Sequence, residues 1–387
     1  MKKGWEERFF EDCFRLKSGD NLTAKKMSEN GNFPVFGGNG IAGYHNEYNL
    51  SGSNVIIGRV GALCGNVRHL TEKIWLTDNA FKIVDFKFDF DHKFLTYLLN
   101  YKDLRIYARQ AAQPVISNSS LKDVVLWFPK SLSEQQRIVS ILDEAFAAID
   151  KAKANAEQNL KNARELFESY LQGVFEKKGE GWEEKTLGEI GNPKMCKRIF
   201  KDQTKSIGEI PFYKIGTFGK EPDAYISKHI YEEYRKQYPF PQKGDILISA
   251  SGTIGRRVRY NGEPAYFQDS NIVWINNDEK QVLNDFLYEF YGACKWNSTK
   301  GATIFRLYND NLKSIKIAFP RSKQEQQAIV RQLDALRAET QKMEAVYQQK
   351  IANLEELKKS ILQKAFAGEL PLGTITEHVE PVSQKTE

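Results

Sequence analysis

The chain has 387 residues, of which 41% are hydrophobic, and a formal net charge of +6 at pH 7. That length favours two domains rather than one, each large enough to form a hydrophobic core. The sequence has no run of 18 apolar residues and no signal-peptide pattern at its start, so we expect a cytoplasmic protein with no membrane contact. Its four cysteines are far apart, which argues against a disulfide framework or a zinc site.

The first block of the chain, residues 1–130, alternates glycine turns with short apolar runs, as strands joined by tight turns do. Its later part predicts a short helix over 94–107 and a final strand over 121–128. A G-x-G-x-x-G run is present at 38–43, but the residues after it lack helical periodicity, so we do not expect a dinucleotide or S-adenosylmethionine to bind there. We expect a mixed α/β block with mostly strands.

Residues 131–178 have the pattern of one long helix. Their apolar positions recur only at intervals of three and four, at Ile138, Leu142, Ala145, Ile149, Ala152, Ala156, Leu160, Ala163, Phe167, Tyr170 and Val174. Such a stripe is typical of an amphipathic helix, and about 45 residues would make a helix about 65 Å long. Ser131 and Glu134 have the spacing of a capping box at its start, and Gly179 and Gly181 favour an end just before them.

The same pattern occurs a second time. Gly252 corresponds to Gly61 and Asp269 to Asp78, a shift of 191 residues in both cases, and the helix pattern recurs at the same shift. The chain is therefore a two-fold internal repeat. The repeated elements are a second block over 179–321, with a short helix over 285–295 and a final strand over 312–319, and a second helix over 322–370.

Two long helices with one apolar stripe each need a partner surface. The first helix leads from the first block to the second, whereas the second helix starts from the second block, so mutual burial of the stripes requires an antiparallel pair. Packing of each helix on its own block, or on another protein, is the alternative. The polar residues 371–387 are predicted to form a disordered tail.

A catalytic or metal site is not indicated. Asp223, Asp278 and Lys280 supply the residue types of a metal-dependent nuclease, but Asp278 and Lys280 lie in a polar stretch typical of an exposed turn. The histidines have no metal-ligand spacing, and neither a P-loop nor a G-x-S-x-G motif is present. We therefore predict a protein that is not an enzyme, with no catalytic residues and no metal or cofactor of its own.

Cationic and amide side chains on glycine-rich turns favour DNA binding, because phosphates are contacted by cations and base edges by Arg, Gln, Asn and Ser. Each of these residues, taken singly, also fits an ordinary surface position. The predicted contact residues are Arg59, Arg68, Lys82, Gln113, Ser117, Asn118, Lys197, Arg198, Arg256, Arg257, Arg306 and Asn309.

The repeated motifs resemble those of specificity subunits of type I restriction–modification systems. Residues 128–143 and 319–334 share Phe-Pro, Ser, Glu-Gln-Gln, Ile-Val and Leu-Asp in the same order. The helix endings LFESYLQGVF and LKKSILQKAF, the segments IIGRVGA and ISASGTIG, and the motifs TDNA and QDSN add to the resemblance. It covers the chain to about residue 370.

The resemblance implies an α+β architecture with two target recognition domains and two long antiparallel coiled-coil spacer helices. Each domain would read one half of a split double-stranded DNA target. Two modification subunits would bring S-adenosylmethionine and methylate adenine, and restriction subunits would bring ATP and Mg²⁺. A coiled-coil scaffold with protein-binding ends, or the recognition part of another restriction system, remains an alternative.

Overall fold

The structure is a computed structural model that describes residues 2–109, 113–296, 299–300 and 305–370. The predicted tail, 371–387, lies outside these residues. The chain divides into two compact units. Unit 1 comprises the residues up to Ala156 and those from Gln349 onward, and unit 2 comprises Glu157–Gln348. None of the helices in the described part of the chain has an apolar stretch long enough to cross a bilayer.

Unit 1 begins with nine strands and three short α-helices. In chain order these are β1 (Trp5–Phe9), α1 (Phe10–Cys13), β2 (Arg15–Ser18), β3 (Phe33–Gly37), β4 (Gly40–His45), β5 (Asn54–Gly58), β6 (Val67–Leu70), β7 (Trp75–Leu76), β8 (Ala80–Val84), α2 (His92–Tyr101), α3 (Asn118–Leu121) and β9 (Val125–Pro129). The first long helix, α4 (Leu132–Glu176), starts in unit 1 and ends in unit 2.

The described part of unit 2 repeats this order with three added elements. Its elements are β10 (Trp182–Thr186), α5 (Leu187–Ile190), β11 (Gly191–Lys194), β12 (Ile210–Tyr213), β13 (Tyr225–Ile226), α6 (Lys228–Gln237), β14 (Ile246–Ser249), β15 (Arg257–Arg259), β16 (Tyr266–Phe267), β17 (Ile272–Asn277), α7 (Asn284–Ala293), β18 (Thr299–Lys300), β19 (Phe305–Arg306), α8 (Asn309–Lys313) and β20 (Lys316–Pro320). The added elements are α6, β18 and β19. The second long helix, α9 (Lys323–Ala367), starts in unit 2 and ends in unit 1.

The sheets confirm the internal repeat. A four-stranded antiparallel sheet has the order β2-β8-β5-β6 in unit 1 and β11-β17-β14-β15 in unit 2. A three-stranded sheet has the order β4-β3-β7 in unit 1 and β13-β12-β16 in unit 2, with one parallel pair in each. The first and last strands of each unit also pair, with Trp5 opposite Pro129 and Trp182 opposite Pro320.

The helix prediction needs a correction in the first block, and the strand prediction needs one in both blocks. The helix predicted over 94–107 ends at Tyr101, and a separate 3-10 turn, Leu104–Tyr107, follows it. The final strands start several residues later than predicted, because Leu121 and Leu312 belong to α3 and α8. Both leucines are buried as the apolar residues of these short helical turns, which the strand prediction did not anticipate.

The long helices lie within three residues of their predicted bounds, and Gly368, with φ +74°, follows the second one directly. Their apolar stripe is confirmed except near the end of α4. There Tyr170 is 43% exposed and Leu171 is 4% exposed. From Ala163 the buried positions follow at intervals of four, through Phe167 to Leu171. Because 3.6 residues complete a turn, an interval of three from Phe167 would place the side chain of Tyr170 away from the buried face.

The two long helices run antiparallel. In unit 1, Lys153 Nζ lies 2.7 Å from Glu355 Oε1. In unit 2, Arg164 Nε lies 2.9 Å from Glu344 Oε2. The numbers of the two partners add up to the same value in both pairs, as they do for facing residues of antiparallel helices. Exposed ion pairs of this kind add little stability, so their main significance is that they report the register.

Each unit also contains the far end of the helix that starts in the other unit. In unit 1, Phe366 of α9 packs against Phe94, with ring centroids 5.7 Å apart. In unit 2, Phe175 of α4 packs against Phe286 and Phe290, at 5.3 and 5.5 Å. The alternative in which each helix packs only on its own block is therefore wrong.

The start of each long helix is held by a glutamine that the capping-box prediction overlooked. Gln135 is fully buried, and its Nε2 donates to the carbonyl oxygens of Asp89 (3.1 Å) and Pro129 (3.0 Å). Its Oε1 accepts from the backbone N–H of Asp91 at 2.8 Å. The predicted box at Ser131 is wrong, because the Glu134 carboxylate accepts from Arg137 instead.

Gln326 makes the same three contacts in unit 2. Its Nε2 donates to the carbonyl oxygens of Gln281 and Pro320, both at 2.8 Å, and its Oε1 accepts from Leu283 N–H at 2.9 Å. Ser322 and Glu325, the counterparts of Ser131 and Glu134, form half of a capping box, since Glu325 N–H donates weakly to Ser322 Oγ at 3.4 Å. One buried amide in each unit thus joins the helix start to the last strand and to the loop before α2 or α7.

We expect Gln135→Met to lower the free energy of unfolding by about 2 kcal/mol or more. Methionine fills a similar volume but leaves one N–H and two carbonyl groups of the backbone buried without a partner, and each such group costs about 1–3 kcal/mol. Urea denaturation of the full chain measures the change. The matched control is Gln136→Met, since Gln136 is exposed. Equal denaturation midpoints for the two variants would contradict the assigned role.

Candidate nucleic-acid interface

Three loop segments meet in unit 1. They are the glycine turn after β5 (58–65), the acidic turn before β8 (77–79) and the residues before α3 (113–117), which are called the third segment below. Arg59 N–H donates to Asn79 O at 2.9 Å, Gly61 N–H to Pro114 O at 3.2 Å, and Ile116 N–H to Arg59 O at 2.9 Å. Backbone hydrogen bonds therefore hold all three segments together.

The corresponding segments meet in unit 2. They are the glycine turn after β14 (249–255), the acidic turn before β17 (268–271) and the third segment (306–308). Ala250 N–H donates to Asn271 O at 2.7 Å, and Leu307 N–H donates to Ala250 O at 2.8 Å. Ser251 and Arg306 form an isolated β-bridge, as Val60 and Val115 do in unit 1.

Glycine is required in both turns by the backbone. Gly61 has φ +103° and Gly252 has φ +66°, a region that residues with a Cβ rarely adopt. At Gly61 a Cβ would also lie 2.7 Å from the Asn39 side-chain oxygen. That oxygen accepts from Leu63 N–H at 2.9 Å, so the G-x-G-x-x-G segment supports the glycine turn from within a β-hairpin, between β3 and β4.

Two predicted contact residues, Arg59 and Arg306, lie inside these clusters. Arg59 donates from Nη1 to the carbonyl oxygen of Asp78 at 3.3 Å, and its guanidinium lies over the Phe81 ring at 5.2 Å. Arg306 donates from Nη2 to Asn271 Oδ1 at 3.2 Å. Both side chains are half-buried, and in each the Nε is shielded from solvent without an acceptor among the described residues.

The third segment of unit 1 carries three more predicted contact residues. Gln113 and Asn118 are exposed, whereas the Ser117 hydroxyl is used to cap α3 by accepting from Ser120 N–H at 3.2 Å. Asn309 is exposed at the matching first position of α8. The structure therefore leaves Gln113, Asn118 and Asn309 accessible beside the clusters.

Arg68 and Lys82 lie on strands rather than on turns. Arg68, on β6, has its Nη2 3.5 Å from the place where a Cβ on Gly40 would be, so it extends toward the β3–β4 hairpin. Burial lowers the pKa of its guanidinium, which nevertheless stays charged. Lys82 is in the centre of the four-stranded sheet, opposite Lys17 and Ile56, away from the three segments.

In unit 2, Lys197 and Arg198 precede the three-stranded sheet and are both exposed. Arg198 Nε lies 2.8 Å from Asp269 Oδ2, which neutralises its charge and attaches it to the acidic turn. Lys197 Nζ lies over the Tyr238 ring at 4.8 Å.

Arg256 and Arg257 are neighbours in sequence but lie on different surfaces. Arg256 ends the glycine turn, where its Nη1 donates to Phe218 O at 3.0 Å. The Arg257 guanidinium lies over the Tyr288 ring of α7 at 4.5 Å and close to Gly292. Successive strand residues point to opposite faces, which separates the two side chains. Only Arg256 belongs with the glycine turn.

Sequence analysis missed the residues that anchor the arginines. Asn271 Oδ1 accepts from both Ser251 Oγ (2.7 Å) and Arg306, and the Asp78 carbonyl accepts from Arg59. Both anchors lie in the repeated motifs TDNA and QDSN, Asp78 at the second position and Asn271 at the fourth, and that repetition was the signal available in the sequence.

The described residues offer little catalytic chemistry. No group of three or more His, Cys, Asp and Glu side chains among them could hold a metal ion. Asp278 and Lys280 pair with each other at 2.8 Å on an exposed turn, and Asp223 pairs with Lys214 at 2.9 Å, so these residues do not form a shared nuclease centre. Burial raises the pKa of Cys13 to about 12, so that thiol stays protonated at neutral pH.

Comparisons with known proteins agree on one family. A family model described as type I restriction modification DNA specificity domain matches residues 2–161 and 179–355. The chain is 41% identical to a putative type I restriction enzyme specificity subunit from Haemophilus influenzae over 311 residues, which cover 79% of this chain and 80% of that protein.

Solved structures of low sequence identity share the fold. One, from a study of complex assembly and conformational transition of the type I R-M system, has a TM-score of 0.77 at 16% identity and covers 96% of this chain and 99% of that one. Another, the HsdS subunit from Thermoanaerobacter tengcongensis, has a TM-score of 0.59 at 17% identity and covers 96% and 98%.

The different positions of Arg256 and Arg257 predict different effects of neutralising them. Arg256→Gln should weaken DNA binding to all sequences and reduce the slope of log affinity against log salt by about 1, as expected for one lost phosphate contact. Arg257→Gln is the matched control and should leave the slope unchanged while lowering stability by about 1 kcal/mol through the lost contact with Tyr288. Binding titrations over a series of salt concentrations test both. Equal slopes for Arg256→Gln and the unchanged protein would remove Arg256 from the interface.

Proposed function

The chain belongs to the family of type I restriction–modification DNA specificity subunits, and we propose that the three-segment cluster of each unit is where it contacts one half of a two-part DNA target. Specificity subunits are the non-catalytic DNA-recognition subunits of these systems. The chain accordingly binds DNA and assembles with other subunits of a restriction–modification complex.

The observation that carries this assignment is the repetition of one arrangement in both units. Each unit joins a glycine turn, an acidic turn and a third segment through equivalent backbone hydrogen bonds. Each also holds an arginine against the acidic turn. Cationic and amide groups on such turns are suited to phosphates and to base edges in the major groove.

The accessible residues around the clusters fall into two groups, one suited to phosphates and one suited to base edges. Arg256 and Lys197 are the phosphate contacts in this proposal, because they flank the cluster of unit 2 and are not paired with a carboxylate in the described structure. Gln113, Asn118 and Asn309 are candidates for base edges. Arg68 faces the hairpin beside the cluster of unit 1. Lys82 and Arg257 are not included, because the sheet and Tyr288 surround them.

The domain division follows from the same assignment. Residues 1–130 and 179–321 form the two recognition domains, and residues 131–178 and 322–370 form the spacer helices. Two modification subunits, which supply S-adenosylmethionine and methylate adenine, dock beside the helix pair, and restriction subunits supply ATP-driven translocation and Mg²⁺-dependent cleavage. The repeat supports two modification subunits, because each half of the chain offers an equivalent surface.

Mapping methylated adenines in DNA from cells that carry this chain with its modification subunits tests the proposal. We expect one target made of two short defined sequences with a fixed gap, and the two sequences should differ because the segments that line the clusters differ. Loss of the chain should abolish the methylation. Methylation that follows a single uninterrupted sequence, or that persists without the chain, would refute the proposal. Absence of a salt-dependent DNA shift would favour a scaffold.

The helix pair should determine the gap between the two half-sites. The Lys153–Glu355 pair makes Ala156 and Ala352 opposite positions within unit 1. Inserting four residues after Ala156 and four after Ile351 therefore lengthens both helices at matched points by about 6 Å. Since base pairs rise by about 3.4 Å, the gap should increase by one or two base pairs with unchanged half-sites.

The control for this experiment is insertion into one helix only, which shifts the two stripes out of register and should impair folding. Four residues are close to one helical turn, so the doubly extended pair keeps almost the same face inward. Methylation mapping of the doubly extended protein decides the matter: an unchanged gap would mean that the helices do not set the spacing.

A further inference from the structure

Each unit has one arginine among its three segments. The arginine comes from the glycine turn in unit 1 and from the third segment in unit 2. Arg59 belongs to the glycine turn of unit 1, and its counterpart in unit 2 is Ala250. Arg306 belongs to the third segment of unit 2, and its counterpart in unit 1 is Val115. The counterparts are structural as well as sequential, because Ile116 N–H bonds to Arg59 O just as Leu307 N–H bonds to Ala250 O.

Both guanidinium groups are attached to the acidic turn by a neutral oxygen. Arg59 uses the Asp78 carbonyl at 3.3 Å, and Arg306 uses the Asn271 amide oxygen at 3.2 Å. Neither bond cancels the positive charge. Arg198 differs, since the Asp269 carboxylate at 2.8 Å neutralises it.

The arginine side chains are also restrained before any ligand binds. Each Nε is shielded from solvent without an acceptor among the described residues, and one terminal nitrogen of each is occupied by its anchor. The other terminal nitrogen, Nη2 of Arg59 and Nη1 of Arg306, has no acceptor among those residues. A half-buried cation that keeps one terminal nitrogen without an acceptor is stabilised by a ligand rich in acceptors.

A guanine edge fits these groups better than a phosphate does. Guanine presents O6 and N7 side by side in the major groove, and arginine binding to both is the commonest specific contact between proteins and DNA. A recessed, restrained guanidinium selects a ligand at one position. Lys197, over the Tyr238 ring, and Arg256, bound to Phe218 O, remain as the cations that can neutralise the DNA backbone.

We propose that Arg59 and Arg306 each read one guanine, and that they are equivalent specificity residues supplied by different segments of the two units. This inference rests on the proposed function of the clusters. Arg59 goes with Val115 in unit 1, and Arg306 goes with Ala250 in unit 2, so each cluster has one arginine at these two positions. The remaining segment residues then determine the other bases of each half-site.

The test uses the complete complex and compares methylation maps of variants. Arg306→Gln should relax the preference at one guanine of one half-site and lower affinity for the cognate target by about ten- to a hundred-fold. The other half-site, the affinity for unrelated DNA and its salt slope should not change. Arg59→Gln should affect one position of the other half-site only.

Arg306→Lys separates the geometry of the side chain from its charge. Lysine keeps the charge and can also donate to guanine, but it lacks the planar fork, so the guanine preference should become clearly weaker without a change in salt slope. This variant also remains informative if Arg306→Gln folds poorly. Retention of the preference by Arg306→Lys would overturn the proposal.

Three further results would also overturn it: an unchanged target for Arg306→Gln, a target that changes in both half-sites, or a uniform loss of affinity with a slope lower by about 1, which identifies a phosphate contact. The unchanged protein distinguishes failure of this inference from failure of the proposed function. If it methylates a two-part target while the variants do so identically, only the guanine assignment fails.

Discussion

In the first turn of each long helix, a buried glutamine binds three backbone groups of its unit. Gln135 and Gln326 hold the first helical turn, the end of the last strand and the loop before α2 or α7 together. A buried amide with all of these bonds made costs little, whereas loss of one partner exposes the full desolvation penalty of the others. The direction in which each helix leaves its unit therefore depends on this one side chain.

The second constraint is that each unit needs both helices. Phe366 from α9 completes the core of unit 1, and Phe175 from α4 completes the core of unit 2. Most of the stability of a helix with one apolar stripe comes from burial of that stripe. Here α4 buries Ile138 and Leu142 in the core of the unit from which it starts, in addition to its contacts with the antiparallel partner and at its far end. The recognition units and the spacer helices therefore share packed cores. A change of helix length at matched points can alter the spacing without altering the three segments of each cluster.

The candidate interface is built on rigid supports. The glycine turns follow β5 and β14, which are central strands of their sheets, and backbone hydrogen bonds attach the acidic turn and the third segment to them. Variation of the side chains on three attached segments changes which base edges are accepted while the supporting sheet stays the same. This separation of support and reading residues explains how two units with the same strand order can serve different half-sites.

The sequence by itself determined the internal repeat, the two long helices to within three residues, and their antiparallel pairing, because helical periodicity and chain order are local or topological properties. It also indicated Arg59 and Arg306 through their glycine-rich and polar surroundings. The tertiary structure alone decided that Gln135 rather than Ser131 holds the helix start, that Leu171 replaces Tyr170 on the buried stripe, and that Arg256 and Arg257 lie on different surfaces. Each of these depends on which distant backbone group or ring a side chain meets, and neither residue type nor spacing along the chain specifies such a contact.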